Sequence, residues 1–170
     1  MLSQKMQKAL NKQLNKEYSS AYIYLGLSAF ASAKGYNGCA NWFMIQYQEE
    51  TAHGMKLYNY INNHNATVVL GDIKAFEFKG TTIKEAFVAA FEHEQKMTGW
   101  LNELSDLALQ EKDHATYNLL QWYVMEQVEE EGMFGDIIDT LNLLGDSGNG
   151  MYNFDKELGA RVFVDPTLTN

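Results

Sequence analysis

Residues 43–60 read FMIQYQEETAHGMKLYNY. Taken in steps of three and four, positions 43, 46, 50, 53, 57 and 60 share one face of a helix, because a helix turns once in about 3.6 residues whereas a strand alternates every second residue. Phe43, Leu57 and Tyr60 make the two ends of that face apolar, while Gln46, Glu50 and His53 interrupt its middle. An acid and an imidazole therefore stand where a core helix would carry leucine or alanine.

The same period extends over about Cys39–Asn65 and recurs in three other segments. The first runs about Lys5–Ala33, carries Leu10, Leu14, Ala21 and Tyr24, and stops near Gly35; Gly35-Tyr36-Asn37-Gly38 is the turn into the second. The third opens on Thr82-Ile83-Lys84-Glu85, a capping box, and places Phe87, Ala90, Met97, Leu101, Leu104 and Ala108 on its stripe. The fourth begins near Asp113, carries Leu120, Tyr123, Phe134, Ile137 and Leu141, and ends at Gly145. Two antiparallel hairpins result. Between them Ala66–Thr81 is too long for a turn; extended at ~3.3 Å per residue it can run the length of a bundle. Met151, Phe154 and Leu158 mark a short fifth helix, about 149–159, which is expected to find no room in a closed bundle and to pack on another copy of the chain. The expectation is an all-α, single-domain chain spanning 1–170: a four-helix bundle over about 5–145 with one long crossover and a short C-terminal helix.

The other three stripes are interrupted as the second is. Glu17 stands in the series 10, 14, 17, 21, 24; Glu94 in 87, 90, 94, 97, 101; Gln127 and Glu130 in 120, 123, 127, 130, 134. No Lys or Arg occupies an inward position. Glu17 and His53 lie about fifteen residues from the first turn, and Glu94 and Glu130 about sixteen from the second, so at ~1.5 Å per residue all four reach a similar depth. Each carboxylate taken out of water costs several kcal/mol, and four without countercharge would overwhelm a stability of ~5–15 kcal/mol. Two divalent cations balance four carboxylates, and a mostly oxygen donor set with one imidazole suits iron or manganese better than thiol-seeking metals.

Composition narrows the function classes. The chain has 170 residues, 46% of them hydrophobic, one cysteine (Cys39), one proline (Pro166) and a formal net charge of -9. The lone cysteine excludes an intramolecular disulfide and any Cys-x-x-Cys metal knuckle. The negative charge disfavours nucleic acid and anionic membranes, and no run of eighteen apolar residues spans a bilayer. The polar start, Met1-Leu2-Ser3-Gln4-Lys5, lacks the pattern of a signal peptide, so the expected compartment is the cytoplasm.

Glu17, Glu94 and Glu50-x-x-His53, with Gln127-x-x-Glu130 in place of a second Glu-x-x-His, resemble the ligand set of the ferritin-like di-iron proteins, and more narrowly that of the bacterial non-haem ferritins. Bacterioferritin would show a second His and a haem-binding Met where this chain has Thr51, so no haem is expected. Rubrerythrin would add a cysteine-rich iron domain, and a non-catalytic light chain would have lost ligands. The resemblance implies two irons per subunit, Glu50 bridging, Glu17 and His53 completing one site and Glu94 and Glu130 the other, with Gln127 holding a water or oxygen species. Tyr24 matches the family tyrosine that can give a further electron, with core packing its alternative role. Glu49, Glu126 and Glu129, with Glu130, match a third iron site, the alternative being a solvated acidic face; Trp122 nearby reads as packing. The implied function is iron storage with ferroxidase activity: Fe(II) oxidised by O2 or peroxide and deposited as mineral inside a homo-oligomeric cage of 24 subunits. A di-iron peroxidase or oxygenase that retains its metals as a cofactor is the alternative.

Overall fold

The computed structural model describes residues 1–145 and 147–168; Asp146 and the end of the 1–170 span, Thr169 and Asn170, lie outside the described residues. Four long helices, α1 (Gln4–Ala33), α2 (Asn37–Asn63), α3 (Ile83–Gln110) and α4 (His114–Leu144), are followed by a short α5 (Gly148–Leu158). Among the described residues there is no strand, and no helix is long and apolar enough to cross a membrane. α1 packs along α2 and α3 along α4, α1 also meets α3, and residues 66–81 connect the two hairpins without helix.

Local chemistry sets the helix ends. Ser3 accepts from the Met6 amide at 2.9 Å, Thr82 and Glu85 form the capping box, and Asp113 accepts from the Thr116 amide at 3.1 Å. α1, α2 and α3 all close with the same pair of backbone bonds around a left-handed residue: Gly35 at φ 85°, Asn65 at φ 54° and Lys112 at φ 57°. At the third of these, the Asp113 amide reaches the Ala108 carbonyl at 2.9 Å and the Lys112 amide the Leu109 carbonyl at 3.0 Å, which turns the chain directly into α4.

The crossover packs Val68, Phe76 and Phe78 against the core clusters, and its first half is held by amides. Asn11 donates to the Thr67 carbonyl at 2.9 Å and accepts from the Val69 amide at 2.6 Å; Asn15, one turn on, donates to the Val69 carbonyl at 2.8 Å and accepts from the Gly71 amide at 2.6 Å. Two side-chain amides thus satisfy every second backbone unit of an extended segment, as a neighbouring strand would.

α5 departs from expectation. It docks on its own chain, with Phe154 buried in the core and Asp155 accepting from the Cys39 amide at 2.8 Å. That bond caps α2, whose own N-cap residue, Tyr36, makes no side-chain cap. The approach is possible because Gly38 has no side chain: a Cβ there would fall 1.5 Å from the Asp155 carbonyl oxygen. Core periodicity alone did not reveal this, since the contact depends on a glycine outside the apolar stripe.

The bundle interior is two apolar clusters rather than one. Leu27, Phe43, Phe87 and Phe134 belong to the cluster at the α5 end, and Leu10, Leu57, Leu101 and Leu120 to the cluster at the other. Between them lies a polar layer.

Candidate metal centre

The polar layer consists of Glu17, Gln46, Glu50, His53, Glu94, Gln127 and Glu130, none of them more than 4% exposed. Each interrupts a helix stripe that is otherwise apolar. Glu17, Glu50 and His53 bring ligand atoms within 4.8 Å of one another, and so do His53, Glu126 and Glu130. His53 joins the two clusters, its Nδ1 lying 3.7 Å from Glu50 Oε2 and its Nε2 3.8 Å from Glu126 Oε1.

Neutral amides hold the acids in place. Gln13 donates to Glu17 at 2.8 Å, Gln46 to Glu130 at 2.7 Å, and Gln127 to Glu94 at 3.1 Å. The Tyr24 hydroxyl also donates to Glu94, so both oxygens of that carboxylate are engaged. Tyr24 is fully buried and its ring is stacked between Phe43 and Phe134, so it has a packing role as well as a polar contact. Glu49 is ion-paired with Arg161, at 2.7 Å, and Glu129 lies exposed outside both clusters.

Every acid in this layer resists ionisation in the metal-free chain. Burial raises the carboxyl groups of Glu17 and Glu94, and burial together with the Glu94 charge raises Glu50 well above its ordinary range. Burial and Glu94 push Glu130 up to about 8. Burial disfavours charge on His53, but the neighbouring carboxylates of Glu126 and Glu50 outweigh it and hold the imidazole well above its ordinary value. Burial and Glu94 likewise raise the Tyr24 phenol well above the usual range. Among the described residues no Lys or Arg is ion-paired with Glu17, Glu50, Glu94 or Glu130. Glu50 Oε2 and His53 Nε2 are buried without a hydrogen-bond partner, although buried polar atoms are ordinarily satisfied. Hard oxygen donors and one imidazole, gathered within 4.8 Å of one another at Glu17, Glu50 and His53, fit a cation.

Comparison with known proteins decides the lineage. The ferritin family, described by its ferritin-like domain, matches residues 7–144. The chain belongs to the ferritin family. It is 42% identical to a bacterial non-heme ferritin of Staphylococcus aureus over 163 residues, covering 96% of this chain and 98% of that one. A probable bacterial non-heme ferritin-like protein of Haemophilus influenzae is 40% identical over 94% of this chain and 96% of its own. Among solved structures, the open pore ferritin of the archaeon Archaeoglobus fulgidus superimposes with a TM-score of 0.93 at 40% identity, covering 95% of this chain and 98% of that one. Within this ferritin, bacterial non-haem in type, the buried Glu/His layer supplies carboxylate and imidazole groups able to hold a metal ion.

Two contributors escaped the sequence reading. Gln13 orients Glu17 from one turn away, a spacing that is visible in the sequence but shared by many surface pairs. Arg161 reaches Glu49 from beyond α5, where no period links the two.

Proposed function

We propose that this ferritin stores iron through ferroxidase chemistry in its polar layer, with Fe(II) as substrate. Glu17, Glu50 and His53 receive one iron; Glu94 and Glu130, with Glu50 shared, receive a second. The observation that carries this reading is the layer of four buried carboxylates lacking a Lys or Arg partner, with Glu50 Oε2 and His53 Nε2 unsatisfied.

Binding two Fe(II) displaces the protons that burial keeps on the carboxyl groups, and the negative oxygens then favour Fe(III) over Fe(II). Each iron gives one electron; O2 takes both electrons and two protons and leaves as hydrogen peroxide, or peroxide itself serves as acceptor and leaves as water. Gln46, Gln127 and Gln13 keep the carboxylates aimed while these charges change. The ferric product moves on to a mineral held inside a closed homo-oligomer of 24 chains.

Oxygen consumption measured during Fe(II) addition tests the chemistry. The expected result is two Fe(II) oxidised per O2, sustained over many irons per chain, and strong slowing in Glu50→Ala. Oxidation that stops after one pair per chain would replace storage with a retained di-iron cofactor.

A further inference from the structure

The chain beyond α5 turns back along α2. The Asn41 side chain donates to the Arg161 carbonyl at 2.9 Å and to the Gly159 carbonyl at 3.4 Å, pinning the backbone. From there the Arg161 guanidinium lies 4.6 Å from the centre of the Trp42 ring and reaches Glu49 Oε2 at 2.7 Å. Residues 166–168 continue to pack on α2, and the Asp165 charge is felt at Lys56, two helical turns past Glu49. The strap therefore covers the flank of α2 that carries Glu49 and passes the level of His53.

Its cation sits where charge is most needed. Glu49 is 14% exposed, and the charges of Glu126 and His53 reach it, as its own charge reaches Glu130. Next to it, His53 Nε2 is buried and unpartnered, 3.8 Å from Glu126. Arg161 is itself only partly satisfied, since its second terminal nitrogen is buried with no partner. Its guanidinium is held by the bond to Glu49 and by the face of Trp42.

We propose that Arg161 is a tethered countercharge for the third metal position: it holds Glu49 while the metal is absent and is displaced, with residues 160–168, when a third cation binds among Glu49, Glu126 and Glu130. This rests on the third-site reading of those acids. The consequence is an order of filling, because the third ion competes with a guanidinium for one of its carboxylates whereas the first two do not.

The test uses the assembled, metal-free protein and Zn(II), which binds without redox chemistry. Calorimetric titration of wild type, Arg161→Gln and Arg161→Lys is paired with amide exchange of residues 160–168 at each loading; helicity by circular dichroism checks the fold. In wild type the third Zn(II) binds weakest, and exchange in the strap rises only at that step. In Arg161→Gln the third ion binds on the order of tenfold tighter and the strap exchanges fast at every loading, while Arg161→Lys, which keeps the charge but loses the planar contact with Trp42, falls between Arg161→Gln and wild type. Equal third-ion affinity in all three proteins, with unchanged strap exchange, would overturn the role of Arg161 and leave the site standing. Absence of any third ion, in wild type and in Arg161→Gln alike, would overturn the third site itself.

Discussion

Glu130 combines burial, a single amide partner and a carboxyl pushed up to about 8, from an ordinary value of 4.5. Its folded pKa lies above its unfolded one, so the folded metal-free protein holds this proton more tightly than the unfolded chain does. The contribution to stability is complete below about 4.5 and is lost as pH rises toward about 8. The thermal midpoint of chelator-treated protein should therefore fall across that window, less steeply in Glu130→Gln, whereas Zn(II)-loaded protein should not fall, since the metal requires the carboxylate. Equal slopes in wild type and Glu130→Gln would remove Glu130 from the account. Ligation has a separate signature: Glu130→Ala should still bind one Fe(II) at Glu17, Glu50 and His53 while paired oxidation slows by about ten- to a hundredfold. Two irons held tightly, with wild-type rates, would show that Glu130 is no ligand. For Tyr24→Phe, stopped-flow absorbance should show metal binding retained and the oxygen-dependent transient decaying more slowly, because a phenyl ring cannot donate an electron; unchanged decay would leave Tyr24 a packing residue. The inward acids were legible because each breaks an apolar stripe at a matching depth. Their hydrogen-bond partners were not, since an amide such as Gln46 reads equally well as ligand or brace, and the link from Arg161 to Glu49 follows no period.

At the scale of elements, helix boundaries could be read to within a few residues wherever the sequence carries its own cap, as at Thr82-Ile83-Lys84-Glu85 and Asp113. The cap of α2 could not, because its acceptor, Asp155, lies more than a hundred residues away. Gly38→Ala tests that junction: the added methyl meets the Asp155 carbonyl, so α5 must shift, with a cost of roughly 1–3 kcal/mol in unfolding and exposure of Phe154. A neutral effect would mean that α5 docks loosely. Lys112 offers the opposite case, a side chain at φ 57° where glycine is unstrained. Lys112→Gly should raise stability by about 1 kcal/mol in denaturant unfolding, and a loss would show that the Lys112 side chain does more than tolerate its backbone.

On the scale of the whole molecule, the polar layer divides one interior into two apolar clusters, so the bundle is held by apolar packing at both ends and its middle is polar. The crossover leaves Val69, Leu70 and Ile73 exposed, apolar surface suited to burial against another copy. Association was expected from α5 having no partner in its own chain; α5 has one, and the exposed crossover residues now carry that expectation. The central claim is that the buried acids feed iron to a store rather than keep it. Native mass measured on the assembled protein during stepwise aerobic Fe(II) addition tests this most directly. The account predicts a closed assembly of constant subunit number whose mass climbs far beyond two irons per chain while it stays soluble; a monomer or dimer, or a mass that halts at two irons per chain, would contradict it.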